Sequence, residues 1–554
     1  MCEKEPVLDT VVEISNRELD EECVADDEQE EFIHKGRYKK KSENITLTLN
    51  RKTLAKDTAI TAKRHKIGIV AQRDILANIV NAGGGNVEEV SLSKSTVHTA
   101  GTAMVKKTAE DIRKNFKTTV KSSFGSKEAL VIHFDEKSLA QYHDNVKSVE
   151  KRPAIIANSP YLTKEQVLGV PIIASNSGAH QKDAVMRVLE DWELKPHVMG
   201  LGFDTTSDNT GKNKGAVVLI EKAFGVPLLW VPCPHHMYEL HAKKVTRLCL
   251  GSTTNPEETF YKTLRDNWNH IIKEGINCDN LEVFDWEKWE ATFMFQQASE
   301  TKTFLLGLFS ANTFSRGDSK ELLSLVLIWL GEDIPNFKFQ YPGALSHARF
   351  LMQAIYSVKI ILLSGQLDCY TAEEIEKVRD IATFVGLFYA SWYFKCPLAS
   401  GAPMLHLESI IQMKQLEQIM PELAKVVLES IRLHLWYLTP QNIPLALADE
   451  SLPTHRRMSL AIGLSNVTRT QNITLGKPQF PDLSDWPDNF WLTGQSPAME
   501  SFLGPASWLI FNKLGFTSDM MDWLSLSPED WESNPNYIRF KDFIKNLKIV
   551  NDPA

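Results

Sequence analysis

Two apolar segments that each end in an aspartate constrain the fold of this chain more than any other feature. The first runs from Ala129 to Asp135 and the second from Val198 to Asp204. Around them the pattern predicts three strands, a helix, a strand, a helix, a strand and a helix, in that order. Three successive strands followed by alternating helices and strands indicate a mixed sheet with helices packed on its faces.

This order of elements is that of the ribonuclease H-like fold, in which the first and fourth strands are neighbours. The acids Asp135 and Asp204 would then end adjacent strands at their carboxyl ends, where open α/β sheets place their sites. Paired carboxylates bind Mg2+ or Mn2+, and two such ions can clamp both oxygens of a phosphodiester displacement. An aspartate after a strand is also a common turn former or helix cap. Either Asp135 or Asp204, considered alone, could have that structural role. The elements are predicted as strands at 129–135, 153–157, 168–174, 198–204 and 227–231, and helices at 179–192, 212–224 and from Cys233 onwards.

Two motifs in this region resemble those of hAT-type DNA transposases. Phe203–Gly211 (FDTTSDNTG), followed by Gly215-Ala216, is similar to their second-acid motif, and Cys233–His241 (CPHHMYELH) is similar to their C-x-x-H motif. Both are closer to a widespread group of transposase-derived animal proteins with Asp-Thr-Thr, Asn-Thr-Gly and Cys-x-His-His-x-x-Glu-Leu signatures. The resemblance extends from about Ile45 to the end of the chain.

The resemblance implies Mg2+-dependent cleavage and transfer of DNA strands, with Asp135 and Asp204 as catalytic metal ligands. Asp208 is a rival ligand to Asp204, because hAT proteins often place the acid directly before an asparagine. In the group that the chain resembles, the third acid is a Glu directly after a Val-Asn-Asp-x-Ala segment, and this chain ends at Ala554 of that segment. Either the sequence is a truncated copy or the acid has been lost, and the remaining candidates are Glu450, Glu500 and Asp552.

Three functions therefore remain open. The first is an active transposase, and the second is a catalytically inactive, domesticated transposase that acts as a DNA or chromatin interaction protein. The third is a ribonuclease H-like nuclease unrelated to transposition, which a large helical block in the chain disfavours. The shared expectation is a transposase-derived, DNA-binding protein.

Cys233 and His236 supply only half of a zinc site. Structural zinc takes four protein ligands, and no second cysteine pair lies nearby in the sequence. We therefore expect no zinc, with Cys233 buried and His236 forming hydrogen bonds near the acids.

Charge is unevenly distributed along the chain. The net charge is −9, yet residues 51–121 hold 14 Lys and Arg against 6 Asp and Glu, a local net charge of +8, behind a strongly acidic stretch at 1–31. An acidic tail beside a basic domain is typical of DNA and chromatin proteins, although a solvated tail and a lysine-rich surface give the same pattern. The basic run Lys35–Lys41 indicates nuclear import, which predicts a nuclear protein.

The expected partner is DNA. Association with a second copy of the chain is a further possibility that the sequence leaves open. No apolar run approaches the roughly 20 residues that span a bilayer, so we expect no membrane. The seven scattered cysteines suit a reducing compartment.

The basic region 45–125 reads as helical and helix-turn-helix-like. Gly83-Gly84-Gly85 breaks one amphipathic helix, and a capped helix entry follows at Ser91. Small and polar residues on a short helix after a tight turn suit a recognition helix. A helical bundle that packs on the catalytic domain is the alternative. The residues expected to contact DNA are Lys94, Ser95, Thr96, His98, Lys106 and Lys107.

The predicted organisation has five parts. A disordered tail at 1–44 precedes the helical region 45–125 and the ribonuclease H-like core 126–250. A large all-α insertion follows at 251–437, the point at which hAT-type transposases carry a helical domain. Its last helix is predicted to run from His406 to Trp436. A C-terminal helical segment, 438–554, completes the core.

Overall fold

The computed structural model describes residues 10–15, 44–50, 52–124, 128–143, 146–251, 259–274, 280–311, 314, 316–342, 351–483, 486 and 497–551. The chain divides into two units, Met1–Thr119 and Val120–Ala554. No helix among these residues is long and apolar enough to cross a membrane.

The first unit combines a strand pair with helices. Its described elements are the antiparallel strands β1 (Thr10–Ser15) and β2 (Asn44–Leu49), the helices α1 (Leu54–Asp57), α2 (Ala59–Arg64) and α3 (Ile69–Ala82), and most of α4 (Lys94–Phe124). The tail predicted to be disordered at 1–44 therefore contains paired strand at Thr10–Ser15. Its residues 1–9 and 16–43 lie outside the described part of the chain.

Two small apolar clusters pack α1 against α3 and α1 against α4. Leu54, Leu76, Val80 and Leu92 are buried together, and Val97 of α4 lies in a second cluster with Ala55 and Ala100. Helix α4 begins at the predicted entry, where Ser93 Oγ accepts a hydrogen bond from Thr96 N at 3.1 Å.

The prediction of a short helix after a tight turn is wrong for both the turn and the helix. Residues 83–93, with a 3-10 turn at Val87–Glu89, separate α3 from α4, whereas a helix-turn-helix uses three to four residues. Helix α4 has 31 residues. No proline interrupts it, and its single glycine, Gly101, has a cost that a long helix can absorb.

The second unit is built on a five-stranded mixed sheet in the order β5-β4-β3-β6-β7. Strand β3 is antiparallel to β4 and parallel to β6, β4 is antiparallel to β5, and β6 is parallel to β7. The predicted mixed sheet is confirmed. The strands are β3 (Leu130–His143), β4 (Val146–Asn158), β5 (Gln166–Gly169), β6 (Val198–Phe203) and β7 (Leu229–Pro232).

Strand β3 does not end at Asp135, as the sequence predicted, but continues to His143. It forms a long hairpin with β4, in which Asp135 pairs with Ala154 and His143 with Val146. The stretch 142–152, which was expected to be a connecting loop, is therefore mostly strand. Its sequence is polar, and the search for apolar runs misses a strand of that composition.

Four helices follow the strands of the sheet. They are α5 (Gly178–Asp191), α6 (Ser207–Thr210), α7 (Ala216–Phe224) and α8 (Pro234–Leu250). Helix α5 buries Ala184, Val185, Val188 and Leu189, the spacing of an amphipathic helix on a sheet. Pro234 occupies the first turn of α8, where its missing N–H costs nothing.

Most of the described residues between 259 and 432 lie in helices. They are α9 (Thr259–Glu274), α10 (Phe293–Ala311), α11 (Gly317–Trp329), α12 (Met352–Leu362), α13 (Ala372–Phe384), a π-helical segment (Val385–Tyr389), α14 (Ala390–Lys395), α15 (Ala402–Leu416) and α16 (Pro421–Arg432). The single helix predicted from His406 to Trp436 is wrong. Pro421 cannot continue a helix and instead starts α16.

The C-terminal segment returns to the sheet. Its helices are α17 (Thr454–Asn466), α18 (Leu509–Lys513), α19 (Pro528–Trp531) and α20 (Pro535–Lys545). Lys513 pairs with Glu128 at 2.5 Å, and Lys548 pairs with Glu165 at 2.6 Å. Asn551 then contacts His133 of the central strand.

Candidate functional site

Asp204 directly follows β6 and its carboxylate is held by three hydrogen bonds. Its Oδ1 accepts from Thr206 N at 3.1 Å, from Thr206 Oγ1 at 2.7 Å and from Asn209 Nδ2 at 2.6 Å. The Asp-Thr-Thr and Asn-Thr-Gly signatures therefore have a physical role, because their side chains fix the orientation of this acid.

The ladder between β3 and β6 relates Asp135 to Asp204. His133 pairs with Gly202, the last recorded pair of this parallel ladder. Continuing the register by two residues aligns Asp135 with Asp204, one residue beyond the end of β6. Adjacent strands lie about 4.8 Å apart, so this register is compatible with a shared cation. A separation of their carboxylates within about 8 Å remains a prediction, made for two ions about 4 Å apart.

Glu136 of β3 lies near the second-acid motif and was not predicted from the sequence as a candidate residue. Its carboxylate accepts a hydrogen bond from Asn176, which lies just before α5. Burial raises the pKa of Glu136, Lys151 opposes this, and the charges of Asp204 and Asp208 add to the rise. Glu136 therefore lies within the electrostatic range of both acids of the second-acid motif. The signal in the sequence was a second acid directly after Asp135.

Asp208 lies in the short helix α6 and is exposed. Its backbone is packed against the start of α5. A Cβ atom added at Gly178 would lie 2.9 Å from Asp208 O, 2.2 Å from Lys214 O and 2.6 Å from Ala216 N. The entries of α5 and α7 are thus in close backbone contact beside the acids.

Cys233 is buried, as expected, and links the strand end to the C-terminal segment. Its N–H donates to Phe203 O at 2.8 Å, and its Sγ accepts from Asn551 N at 3.4 Å. His236 is also buried, and its Nδ1 lies 3.3 Å from Glu239 Oε2 in the same helix. Among the described residues, no three His, Cys, Asp or Glu side chains converge closely enough to hold a metal ion.

A hydrogen bond between the side chains of His133 and Asn551 connects the central strand to the C-terminal segment. His133 Nδ1 lies 2.5 Å from Asn551 Oδ1. Gly202 makes room for the ring, since a Cβ there would lie 2.3 Å from His133 Nδ1. Burial lowers the pKa of His133, and the bond to Asn551 opposes this. This hydrogen bond places residue 551 beside the strand that carries Asp135.

The candidates for the third acid have other partners. Glu450 forms an ion pair with Lys541 of α20. Glu500 packs against α17, where a Cβ at Gly463 would lie 2.8 Å from its Cβ. Asp552 lies outside the described residues.

The six residues expected to contact DNA lie on the first four turns of α4. Five are exposed and Thr96 is half-buried. At about 100° per residue, Lys94, Ser95, His98 and Lys106 fall within one arc of about 120°, whereas Thr96 and Lys107 lie on the other side. Ser93 Oγ contacts Ser95 Oγ at 2.9 Å and Thr96 Oγ1 at 2.8 Å, so these hydroxyls also cap the helix.

A group of histidines lies where α8, α15 and α16 meet, with His241 and His406 buried and His434 half-buried. His241 Nδ1 is 2.8 Å from Ser430 Oγ, and its ring lies 6.2 Å from that of His434. Burial lowers the pKa of His434 to about 4, with His236 and Lys477 acting in the same direction. Burial and then His434 lower the pKa of His406 to about 3. Burial also places the pKa of His241 well below its usual value.

We expect these histidines to make the protein sensitive to acid. Their folded pKa lies below the unfolded value near 6.5, so their stabilising contribution is complete above that pH and is lost as the pH falls towards 4. His406 and His434 should each cost about 2 kcal/mol of unfolding free energy between pH 7 and pH 5. Urea unfolding across that range measures the loss, and His434→Gln should reduce its slope. An equal slope in that variant would contradict the assignment.

A cavity of about 930 Å³ lies in the helical block, away from the acids of the sheet. Its lining includes Trp289, Trp329 and Asp380, together with Cys249. Burial, with a smaller contribution from Asp380, raises the pKa of Cys249 to about 12. That thiol is therefore not an activated nucleophile.

Comparison with known proteins adds no assignment. A scan of the sequence against protein-family models finds no match. A search of the curated proteins finds no match either.

Proposed function

We propose that this chain is a transposase-derived DNA-binding protein with a ribonuclease H-like core. Its ancestral activity is Mg2+-dependent cleavage and transfer of DNA strands. The observation that carries the proposal is the parallel pairing of β3 and β6, whose register aligns Asp135 with Asp204. Within the sheet, counted from β3, the strand order is 3-2-1-4-5 and only the second strand is antiparallel to the others. The helical block after the fifth strand, β7, supports the same proposal.

In this proposal Asp135 and Asp204 hold Mg2+ or Mn2+, with Asp208 beside them. The cations would activate water or a 3′-hydroxyl for attack on phosphorus and stabilise the leaving oxygen. Asp204 is favoured over Asp208, because it directly follows the strand and Thr206 and Asn209 orient its carboxylate.

The second candidate is a catalytically inactive member that binds DNA or chromatin. The positions of two candidates for the third acid favour it, because Glu450 and Glu500 contact the C-terminal helices. Both candidates place the protein in the nucleus and bind DNA through the first unit. The basic run Lys35–Lys41 behind the nuclear assignment lies outside the described residues.

Binding of duplex DNA tests both candidates. We expect the full chain to bind with a marked salt dependence, because Lys and Arg that contact phosphates release counterions. Lys106→Glu combined with Lys107→Glu should weaken binding about tenfold or more and flatten the plot of log affinity against log salt. Fluorescence anisotropy at several salt concentrations measures both quantities.

The matched control reverses two exposed lysines of the helical block, Lys320→Glu with Lys425→Glu. This pair makes the same change in net charge and should leave the affinity and slope nearly unchanged. Absence of binding by the unmodified chain at low salt would contradict the proposed function. Equal losses in both double variants would show that net charge, not α4, determines binding.

A further inference from the structure

The cavity of about 930 Å³ in the helical block has the size of a small-molecule site, since such pockets measure about 300–1,000 Å³. Its walls come from the end of α8, the segment 282–289, the ends of α11 and α12, helix α13 and the turn between α15 and α16. Phe284 N donates to Trp329 O at 2.7 Å, and Glu282 N donates to Leu362 O at 3.0 Å. Backbone hydrogen bonds therefore join the segment 282–289 to the ends of α11 and α12.

Part of the lining is aromatic and apolar. Trp329 is 4% exposed, and its ring lies 5.3 Å from that of Phe284. Val283 and Leu248 also line the cavity, yet they are 45% and 43% exposed. Because removal of apolar surface from water is favourable, a ligand with an apolar body would be stabilised by these side chains.

The charged groups of the lining have an excess of carboxylates. Five acids and three bases give a net charge of −2. The acids are Glu282, Asp285, Glu376, Asp380 and Glu422, and the bases are Lys288, Lys377 and Arg379. A cation is therefore attracted to this cavity, and an anion is repelled.

The three bases of the lining already have partners. The contacts are those of Arg379 with Glu282 and Glu376, of Lys377 with Glu373, and of Lys288 with the ring of Trp289. Within the described part of the chain, by contrast, the carboxylates of Asp380 and Glu422 form no hydrogen bond and no ion pair. Burial raises the pKa of Asp380, and the charge of Glu376 adds to the rise, while Arg379 and Lys288 oppose it. A cation bound beside Asp380 would favour its ionised form.

We propose that this cavity binds a small organic cation, an apolar or aromatic body that carries one ammonium or guanidinium group. Asp380 and Glu422 attract the cationic group, and Val283, Leu248 and Trp329 cover the body. The inference goes beyond the proposed function, because the cavity involves neither the acids of the sheet nor the DNA-binding helix α4.

Isothermal titration calorimetry of the full chain with tryptamine and with benzylguanidine tests the inference. Indole-3-acetate is the matched ligand control, because it carries the indole ring of tryptamine with a negative charge. We expect both cations to bind and the anion not to bind. Asp380→Asn should weaken tryptamine binding about fivefold, since it removes the charge and retains the shape of the side chain.

Two further variants locate the site. Val283→Arg places a long cationic side chain at the cavity and should abolish tryptamine binding. Asp266→Asn, at an exposed acid of α9 outside the lining, should bind tryptamine as the unmodified chain does. Circular dichroism spectra that coincide for all variants establish that each is folded.

A loss of binding in Asp380→Asn and Val283→Arg, but not in Asp266→Asn, supports the inference. Absence of binding by both cations would overturn it, as would equal binding of tryptamine and indole-3-acetate. Unchanged tryptamine affinity in Val283→Arg would show that the cation binds elsewhere, and would overturn the assignment of the cavity.

Discussion

Gly178→Ala is expected to lower the free energy of unfolding by roughly 3 kcal/mol. The added Cβ would lie 2.2 Å from Lys214 O and 2.6 Å from Ala216 N, which are backbone atoms and not flexible side-chain ends. Relief of this overlap requires α5 and the entry of α7 to separate. Urea unfolding monitored by circular dichroism measures the loss.

Gly307→Ala is the matched control for that experiment. Gly307 lies within α10, and a Cβ there would meet nothing within 4 Å. Alanine in a helix interior is favoured over glycine by about 0.5–1 kcal/mol, so this variant should be slightly more stable. Unchanged stability of Gly178→Ala would show that the two helix entries are not in close contact.

Lys359→Met is the second substitution with a large expected effect. Lys359 of α12 and Glu321 of α11 form an ion pair of 2.6 Å, with side chains 1% and 8% exposed. Lys359 Nζ also donates to Gln340 O at 2.8 Å. Burial lowers the pKa of Lys359, and the charge of Glu321 opposes this. Removal of the lysine leaves a buried carboxylate without its partner, which should cost about 3–5 kcal/mol.

A double substitution and a surface pair complete this test. Glu321→Leu combined with Lys359→Met removes both charges and should recover most of the lost stability. Lys377 pairs with Glu373 on an exposed face of α13, and Lys377→Met should leave the free energy of unfolding nearly unchanged, because water screens an exposed ion pair. Equal losses for Lys359→Met and Lys377→Met in urea unfolding would contradict the importance of burial.

The sheet was predictable where its strands are apolar. Strands β6 and β7 are fully buried, and their uninterrupted apolar runs located both to within two residues. The outer half of the β3–β4 hairpin was missed, because its sequence is polar and its strands are defined by backbone pairing with each other. The break before Pro421 was predictable from proline chemistry, yet the apolar stripe continuing across it suggested one helix.

The candidate site was only partly predictable. Asp135 and Asp204 could be predicted as site residues from their positions in the strand pattern. The motif residues Thr206 and Asn209 are two and five residues from Asp204, close enough in sequence to bond to its carboxylate. The pair of Glu136 with Asn176 spans 40 residues, and that of His133 with Asn551 spans 418. Such contacts depend on which helix entry meets which strand, information that local spacing does not contain.

We infer that Asp135 of β3 and Asp204, which directly follows β6, bind divalent cations. Crystals of the full chain soaked in Mn2+ test it directly through anomalous diffraction. We expect an anomalous peak with carboxylate oxygens of Asp135 and Asp204 as ligands at about 2.1 Å, and its loss in Asp135→Asn. Carboxylates of Asp135 and Asp204 separated by far more than about 8 Å, or a peak only elsewhere in the chain, would contradict the claim.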